Sequence, residues 1–246
     1  MQHKIIDINS DLGEGMGNDA EMMRFISSCN IACGGHYGDE TSMSKTIRLA
    51  LDHNVRIGAH PSFPDKQNFG RLPVDISSED LKASLYEQLL DFKSILDSEG
   101  GKLHHIKPHG ALYNLLKMDM DLADLFLDVT CKYFPKSILY VSPDSSILER
   151  AEHRGARCWI EAFADRNYND DLSLVPRSQP DAVIENAAAV LAHVNPMILK
   201  GHIKTVSGNR KSISPRTLCV HGDHPNALEI ARALNMNVKE LNITIG

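Results

Sequence analysis

Only five of the 246 residues are cysteine, and no two of them form a C-x-x-C pair. An odd count without that spacing argues against a disulfide framework and fits a reducing cytoplasm, the expected location. No run of Lys or Arg stands out, and the net charge is -6, so nucleic acid is not the expected partner. No apolar stretch approaches the length of a membrane span. The opening Met-Gln-His-Lys does not resemble a signal peptide. The sequence has no G-x-x-x-x-G-K-[ST] loop, which excludes a standard ATP site of that kind. It also has no G-x-S-x-G elbow, no H-E-x-x-H and no spaced Cys/His motif. Repeats, low-complexity segments and linkers are missing too, so residues 1–246 are expected to form a single domain.

Apolar and charged contents of 42% and 24% are those of an ordinary globular protein. Period-two alternation is the strongest pattern. Ile5–Asp11 puts Ile6 and Ile8 on one face and Asp7, Asn9 and Asp11 on the other. Further strands are expected at Cys29–Cys33, Val55–His60, from Leu103 through Lys107, at Ile138–Ser142, Arg157–Phe163 and Thr217–Val220. Helices are expected at Glu21–Ser27, Thr41–His53, Ser77–Glu99, Leu122–Tyr133, Ser142 to about Arg154, Pro180–Val194 and Pro225–Leu234. Gly201–Pro215 reads as a hairpin or loop, and Leu241–Ile245 as an edge strand.

Strands alternating with helices imply a parallel sheet with helices outside. An open doubly wound sheet buries both strand faces and calls for continuous apolar runs. Here several strands give one face to polar groups, which favours a (β/α) barrel with a polar lumen. His105, Lys107 and His109 share such a face. Asp11, His36, His60, His109, Asp165 and Asp223 all fall at or just beyond the carboxyl end of a strand, the rim on which barrel active sites are built. They are expected around one cleft.

Each residue also has a plainer explanation. Asp11 and Glu14 lie in a Gly-rich acidic loop that turn chemistry alone would explain, and Asp223 would serve as a helix cap. Glu161, Asp165 and Arg166 read as one ion-paired cluster. Cys33, Cys158 and Cys219 read as core residues, and His3, His53, His153 and His193 receive no role.

Specific motifs run the length of the chain. They are Asn9-Ser10-Asp11-Leu12-Gly13-Glu14, Asn30-Ile31-Ala32-Cys33-Gly34 with His36-Tyr37-Gly38-Asp39, and Gly58-Ala59-His60-Pro61 with Phe69-Gly70-Arg71. After these come Lys107-Pro108-His109-Gly110-Ala111-Leu112-Tyr113-Asn114, Glu161-Ala162-Phe163-Ala164-Asp165-Arg166-Asn167-Tyr168, Leu174-Val175-Pro176-Arg177 and Cys219-Val220-His221-Gly222-Asp223. In these the chain resembles the LamB/YcsF family of lactam-utilisation proteins.

The resemblance implies an irregular, seven-stranded TIM-like barrel of the glycoside hydrolase/deacetylase type. Bacterial members are known as the A component of 5-oxoprolinase. With subunits B and C, that enzyme opens 5-oxoproline to L-glutamate using ATP, as its Mg2+ complex. The expected catalytic set is Asp11, His60, Lys107, His109, Glu161 and Asp165, with His109 or His60 as base. Glu14, His36, Arg71, Arg166, Arg177, His221 and Asp223 are expected to bind substrate, with Arg71 and Arg177 clamping its carboxylate. Two rival readings stand beside this one. The first is a metal-dependent sugar deacetylase using Asp11, His36 or His60. The second is a protein that binds the lactam without catalysing its opening.

Overall fold

The alternation in the first strand sets the plan of the whole sheet. A computed structural model describes residues 4–246, so His3 lies outside the described residues. In chain order the elements are β1 (Ile5–Leu12), α1 (Asp19–Met22), β2 (Ser28–Ala32), α2 (Glu40–Asp52), β3 (Arg56–His60), α3 (Ser78–Ser98), β4 (Leu103–Ile106), α4 (Gly110–Leu115) and α5 (Met120–Tyr133). They continue with β5 (Ile138–Val141), α6 (Ser146–His153), β6 (Cys158–Phe163), α7 (Ala187–Lys200), β7 (His202–Lys204), β8 (Arg210–Ser212), β9 (Thr217–Cys219), α8 (Ala227–Glu240) and β10 (Thr244–Ile245). Strands β1 to β6 and β9 pair in parallel in that order. β9 then returns to β1, with Asp7 opposite Thr217 and Asn9 opposite Cys219, and closes a seven-stranded barrel. The expected hairpin is β7–β8, and the expected last strand is β10 beside the start of β1.

Ile6 and Ile8 face the helices and are fully buried, while Asp7, Asn9 and Asp11 are buried in the lumen. A buried carboxylate needs partners to offset lost hydration. Asp7, at the amino end of the barrel, accepts hydrogen bonds from Ser27 Oγ (2.6 Å), Ser28 Oγ (2.7 Å), Thr217 Oγ1 (2.5 Å) and Arg56 Nη2 (2.7 Å). One level up, Asn9 Nδ2 donates to Glu161 Oε1 at 2.9 Å, and Asn30 Nδ2 donates to Asn9 Oδ1 at 2.7 Å. His105 stacks on Tyr140 with ring centroids 4.0 Å apart. Gly58 makes room for it, since a Cβ there would collide with His105 Nε2. The lumen is thus a hydrogen-bonded column that opens at the carboxyl rim.

Three helices depart from the expected pattern. α7 starts at Ala187 rather than Pro180 and runs through Pro196 to Lys200. Residues ahead of it are held extended, because Val183 bridges to Arg166 and Ile184 N donates to Asp165 O at 2.9 Å. Asn186 then caps the helix, its side chain accepting from Ala189 N. The first helix is a single turn, since Ser27 N is already bonded to Ile8 O and the chain has entered the sheet. α4 has no counterpart among the expected helices. It begins at Gly110, whose positive φ of 55° turns the chain directly out of the Lys107-Pro108-His109 segment.

Candidate active site

The carboxyl rim encloses a cavity of about 440 Å³, a size suited to a small molecule. Ten of the expected residues line it: Asp11, Glu14, His60, Arg71, Lys107, His109, Arg166, Arg177, His221 and Asp223. Three stand behind this wall. His36 is stacked on His109 with centroids 3.7 Å apart. Glu161 lies beneath Lys107, and Asp165 lies behind His221.

Lys107 is the floor. It is 1% exposed, and its Nζ contacts Asp11 Oδ1 at 2.8 Å, Glu161 Oε1 at 3.0 Å and Cys219 Sγ at 3.1 Å. Burial favours the neutral amine, but Asp11, Cys219 and Glu161 outweigh it and hold the group charged, well above its ordinary range. Burial likewise pushes the Asp11 carboxyl upward, and His60 and Lys107 reverse this and keep it ionised. The ammonium is therefore a fixed positive charge at the bottom of the cavity, with Phe163 beside it at 5.1 Å from the ring centroid.

His221 forms one wall. Its Nδ1 lies 2.9 Å and 3.0 Å from the two oxygens of Asp165, and its backbone N also donates to that carboxylate at 3.0 Å. Burial alone would raise Asp165, but His221 outweighs it and brings the pKa down to about 2. A carboxylate accepts only, so Nδ1 is the donor to Asp165, and Nε2 is the ring nitrogen left over. Nε2 has no protein partner among the described residues.

The opposite wall holds three imidazoles around Glu14. His60 Nδ1 donates to the Lys107 carbonyl at 2.7 Å, and His109 Nε2 donates to the Phe69 carbonyl at 2.9 Å. Their other nitrogens, His60 Nε2 and His109 Nδ1, lie 2.9 Å apart. Glu14 Oε1 is 3.0 Å from His36 Nε2, 3.5 Å from His109 Nδ1 and 3.8 Å from His60 Nε2. Burial lowers His36 to about 2, and burial with His36 and His60 also lowers His109, so both rings are neutral. Both ring nitrogens of His60 and of His109 have a neighbour within hydrogen-bond distance. Among the imidazoles that line the cavity, His221 is the one whose second nitrogen has no hydrogen-bond partner in the described residues, while His36 Nδ1, behind the wall, also has none.

At the mouth, Arg71 pairs with Asp223, and Arg177 approaches the same carboxylate at 3.5 Å. The expected cluster of Glu161, Asp165 and Arg166 does not form. Asp165 and Arg166 are consecutive in the chain, and their side chains go different ways. Glu161 pairs with Lys107 and Asp165 with His221. Arg166 bonds the carbonyls of Ala182 (3.1 Å) and Val175 (2.6 Å), which ties down the loop before α7. Sequence reasoning missed Asn30, which bonds both Asn9 and Asp11, and Tyr113, which lines the cavity from α4. Asn30 was accessible from the same alternation, because Ser28 and Asn30 share the lumen face.

The expected cysteine environment holds for Cys33 and Cys219, which are buried, while Cys131 and Cys158 are half-buried, and none of the five is joined to another. No described helix is long and apolar enough to cross a membrane.

The family model described as LamB/YcsF matches residues 6–246. The A component of 5-oxoprolinase from Histophilus somni (strain 129Pt) is 40% identical over 242 residues, covering 98% of each chain. The structure of a lactam utilization protein from Thermus thermophilus is 34% identical with a TM-score of 0.90, over 98% of each chain. A family 4 carbohydrate esterase from Streptomyces lividans has a TM-score of 0.54 at 9% identity, over 100% of this chain and 92% of its own. That likeness concerns the fold alone.

Proposed function

The chain belongs to the LamB/YcsF family, and from that premise we propose that it is the ring-opening subunit of an ATP-dependent amidohydrolase acting on 5-oxoproline. The observation that carries this reading is a buried, charged Lys107 at the floor of a small cavity, with the Asp165–His221 pair on its wall. The name of the Histophilus relative adds the substrate and the notion of a multi-subunit enzyme. We assign ATP, as its Mg2+ complex, to the assembly of this chain with subunits B and C.

The chemistry follows from the lactam. Its carbonyl is resonance-stabilised and a poor electrophile. Transfer of the ATP γ-phosphoryl group to the carbonyl oxygen releases ADP and creates an activated carbon. Lys107 stabilises the negative charge on that oxygen and its phosphate. Water then adds to the carbon, and His221 Nε2 takes its proton while Asp165 stabilises the imidazolium. The C–N bond breaks, the ring nitrogen leaves with a proton, and a second water hydrolyses the resulting acyl phosphate. Arg71 and Arg177 take the substrate carboxylate, exchanging it for Asp223.

The test is reconstitution. The purified chain, with and without subunits B and C, is given Mg-ATP and 5-oxoproline, and glutamate and ADP are measured. Glutamate formation that requires all three subunits and matches ADP release supports the reading. Glutamate release by this chain alone without ATP overturns it.

A further inference from the structure

The wall of the cavity opposite His221 has a property that the lactam chemistry does not use. His60 and His109 each have one ring nitrogen fixed as a donor by a backbone carbonyl, of Lys107 and Phe69 respectively. The remaining nitrogens are His60 Nε2 and His109 Nδ1. They point at each other across 2.9 Å. Two imidazole nitrogens at that distance need a positive centre between them, either a proton or a metal ion. Glu14 Oε1 faces both, at 3.8 Å and 3.5 Å, and Asp11 Oδ2 lies 3.5 Å from His60 Nε2.

We propose that Glu14, His60 and His109 form a binding site for one first-row divalent cation of the zinc class. The shape of the group fits. Ligands at about 2.0–2.1 Å from a tetrahedral zinc stand about 3.3 Å from one another, and the three distances here of 2.9, 3.5 and 3.8 Å bracket that value. The orientation of the rings fits as well. A metal-binding imidazole ordinarily donates its other N–H to a carbonyl or carboxylate, and both histidines do so. His36 plays the same supporting part for the carboxylate, contacting Glu14 Oε1 at 3.0 Å from behind the cavity wall. Donor chemistry selects the ion. Two imidazoles and one carboxylate suit zinc, cobalt or nickel, whereas magnesium and calcium prefer oxygen alone.

All three ligands line the cavity, so the fourth coordination position opens into it. That arrangement belongs to catalytic rather than structural zinc sites. A cation there would polarise an oxygen of whatever occupies the cavity, or lower the pKa of a bound water. Cation binding is independent of the lactam chemistry, because it is tested without substrate or partner subunits.

The experiment uses the full chain stripped with a chelator and then dialysed free of it. Zn2+ is titrated by calorimetry, and Co2+ is added separately as a spectroscopic probe. The expected result is one equivalent of Zn2+, a tetrahedral Co2+ absorption band, and a rise in melting temperature with added Zn2+. His60→Gln and Glu14→Gln should lose the stoichiometric site. His36→Gln should weaken it by about 10–100-fold, as loss of a supporting contact does. His53→Gln, on the exposed end of α2, should leave it unchanged. Circular dichroism checks that each variant folds; if His60→Gln does not, the wild-type Co2+ spectrum and Glu14→Gln decide. Absence of saturable binding to the wild-type chain would overturn the proposal. So would binding that survives both substitutions, or a proton shared between His60 and His109 in nitrogen NMR of protein saturated with Zn2+.

Discussion

Lys107 Nζ lies between Asp11 Oδ1 at 2.8 Å and Glu161 Oε1 at 3.0 Å, so one buried ammonium joins β1 to β6 across the lumen. The three groups reach this point from residues 11, 107 and 161, and each offsets the desolvation of the others. The same ammonium is the positive charge that the floor offers to the cavity. In the proposed reaction, stability and chemistry therefore rest on one atom.

Lys107→Met is expected to be strongly destabilising, by about 3–5 kcal/mol, because it strands two buried carboxylates. Lys107→Met with Glu161→Gln should recover part of that loss, since one of the stranded charges is gone. Urea denaturation of both variants measures the difference. Equal stability of the single variant and the wild type would show that the carboxylates are not paired through this lysine.

Gly58→Ala is expected to cost about 1–3 kcal/mol by overpacking. The new Cβ would collide with His105 Nε2, and that ring is held by Asn30 at 2.6 Å and by the stack on Tyr140. A melting temperature within error of wild type would mean that the ring moves freely, against a packed lumen.

Asp165 gives stability a defined dependence on acid. Its folded pKa, about 2, lies below the ordinary value of 3.8. A depressed carboxyl contributes stability above its unfolded pKa, and the contribution is lost as pH falls through the folded value. The window here runs from about pH 4 down to about pH 2. Asp165→Asn should be less stable than wild type at pH 7, and the gap should close across that window. Chemical denaturation at several pH values measures it, and a gap independent of pH would remove the electrostatic explanation.

Arg71→Gln and Arg177→Gln should each raise KM for 5-oxoproline by about 10–100-fold, the loss typical of one charged hydrogen bond. A lactam without the carboxylate should bind both variants as it binds wild type. Equal effects on both substrates would place the arginines outside the carboxylate seat.

Much of this is legible in local sequence. Alternation assigns Asp7, Asn9 and Asp11 to one face and Ile6 and Ile8 to the other, because a strand's side-chain period is fixed at two. Strand ends place Asp11, His60, His109 and Asp223 on one rim, because every strand of a parallel barrel points the same way. Partner choice is not legible. Arg166 stands close to Glu161 in sequence, yet Glu161 meets Lys107 from much earlier in the chain, because β4 and β6 both face the lumen. Which histidine keeps a ring nitrogen free is hidden for a related reason. Whether a histidine has a free nitrogen depends on which backbone carbonyl lies beside it, and the carbonyls of Lys107 and Phe69 occupy His60 and His109. The start of α7 differs from expectation because Pro180 suits a first turn in isolation, while the pairing of Val183 with Arg166 comes from tertiary structure.

The most direct test of the mechanism is the steady-state rate of reconstituted enzyme carrying His221→Gln, with glutamate formation followed at saturating Mg-ATP and varied 5-oxoproline. Glutamine keeps a hydrogen-bonding side chain toward Asp165 but cannot accept the proton of water at neutral pH. General-base catalysis is worth about 10²–10⁴-fold, so kcat should fall by at least about a hundredfold while KM stays close to wild type. A variant that is folded and assembled, with unchanged kcat and a raised KM, would contradict the mechanism and leave this chain as a lactam-binding protein whose partners perform the chemistry.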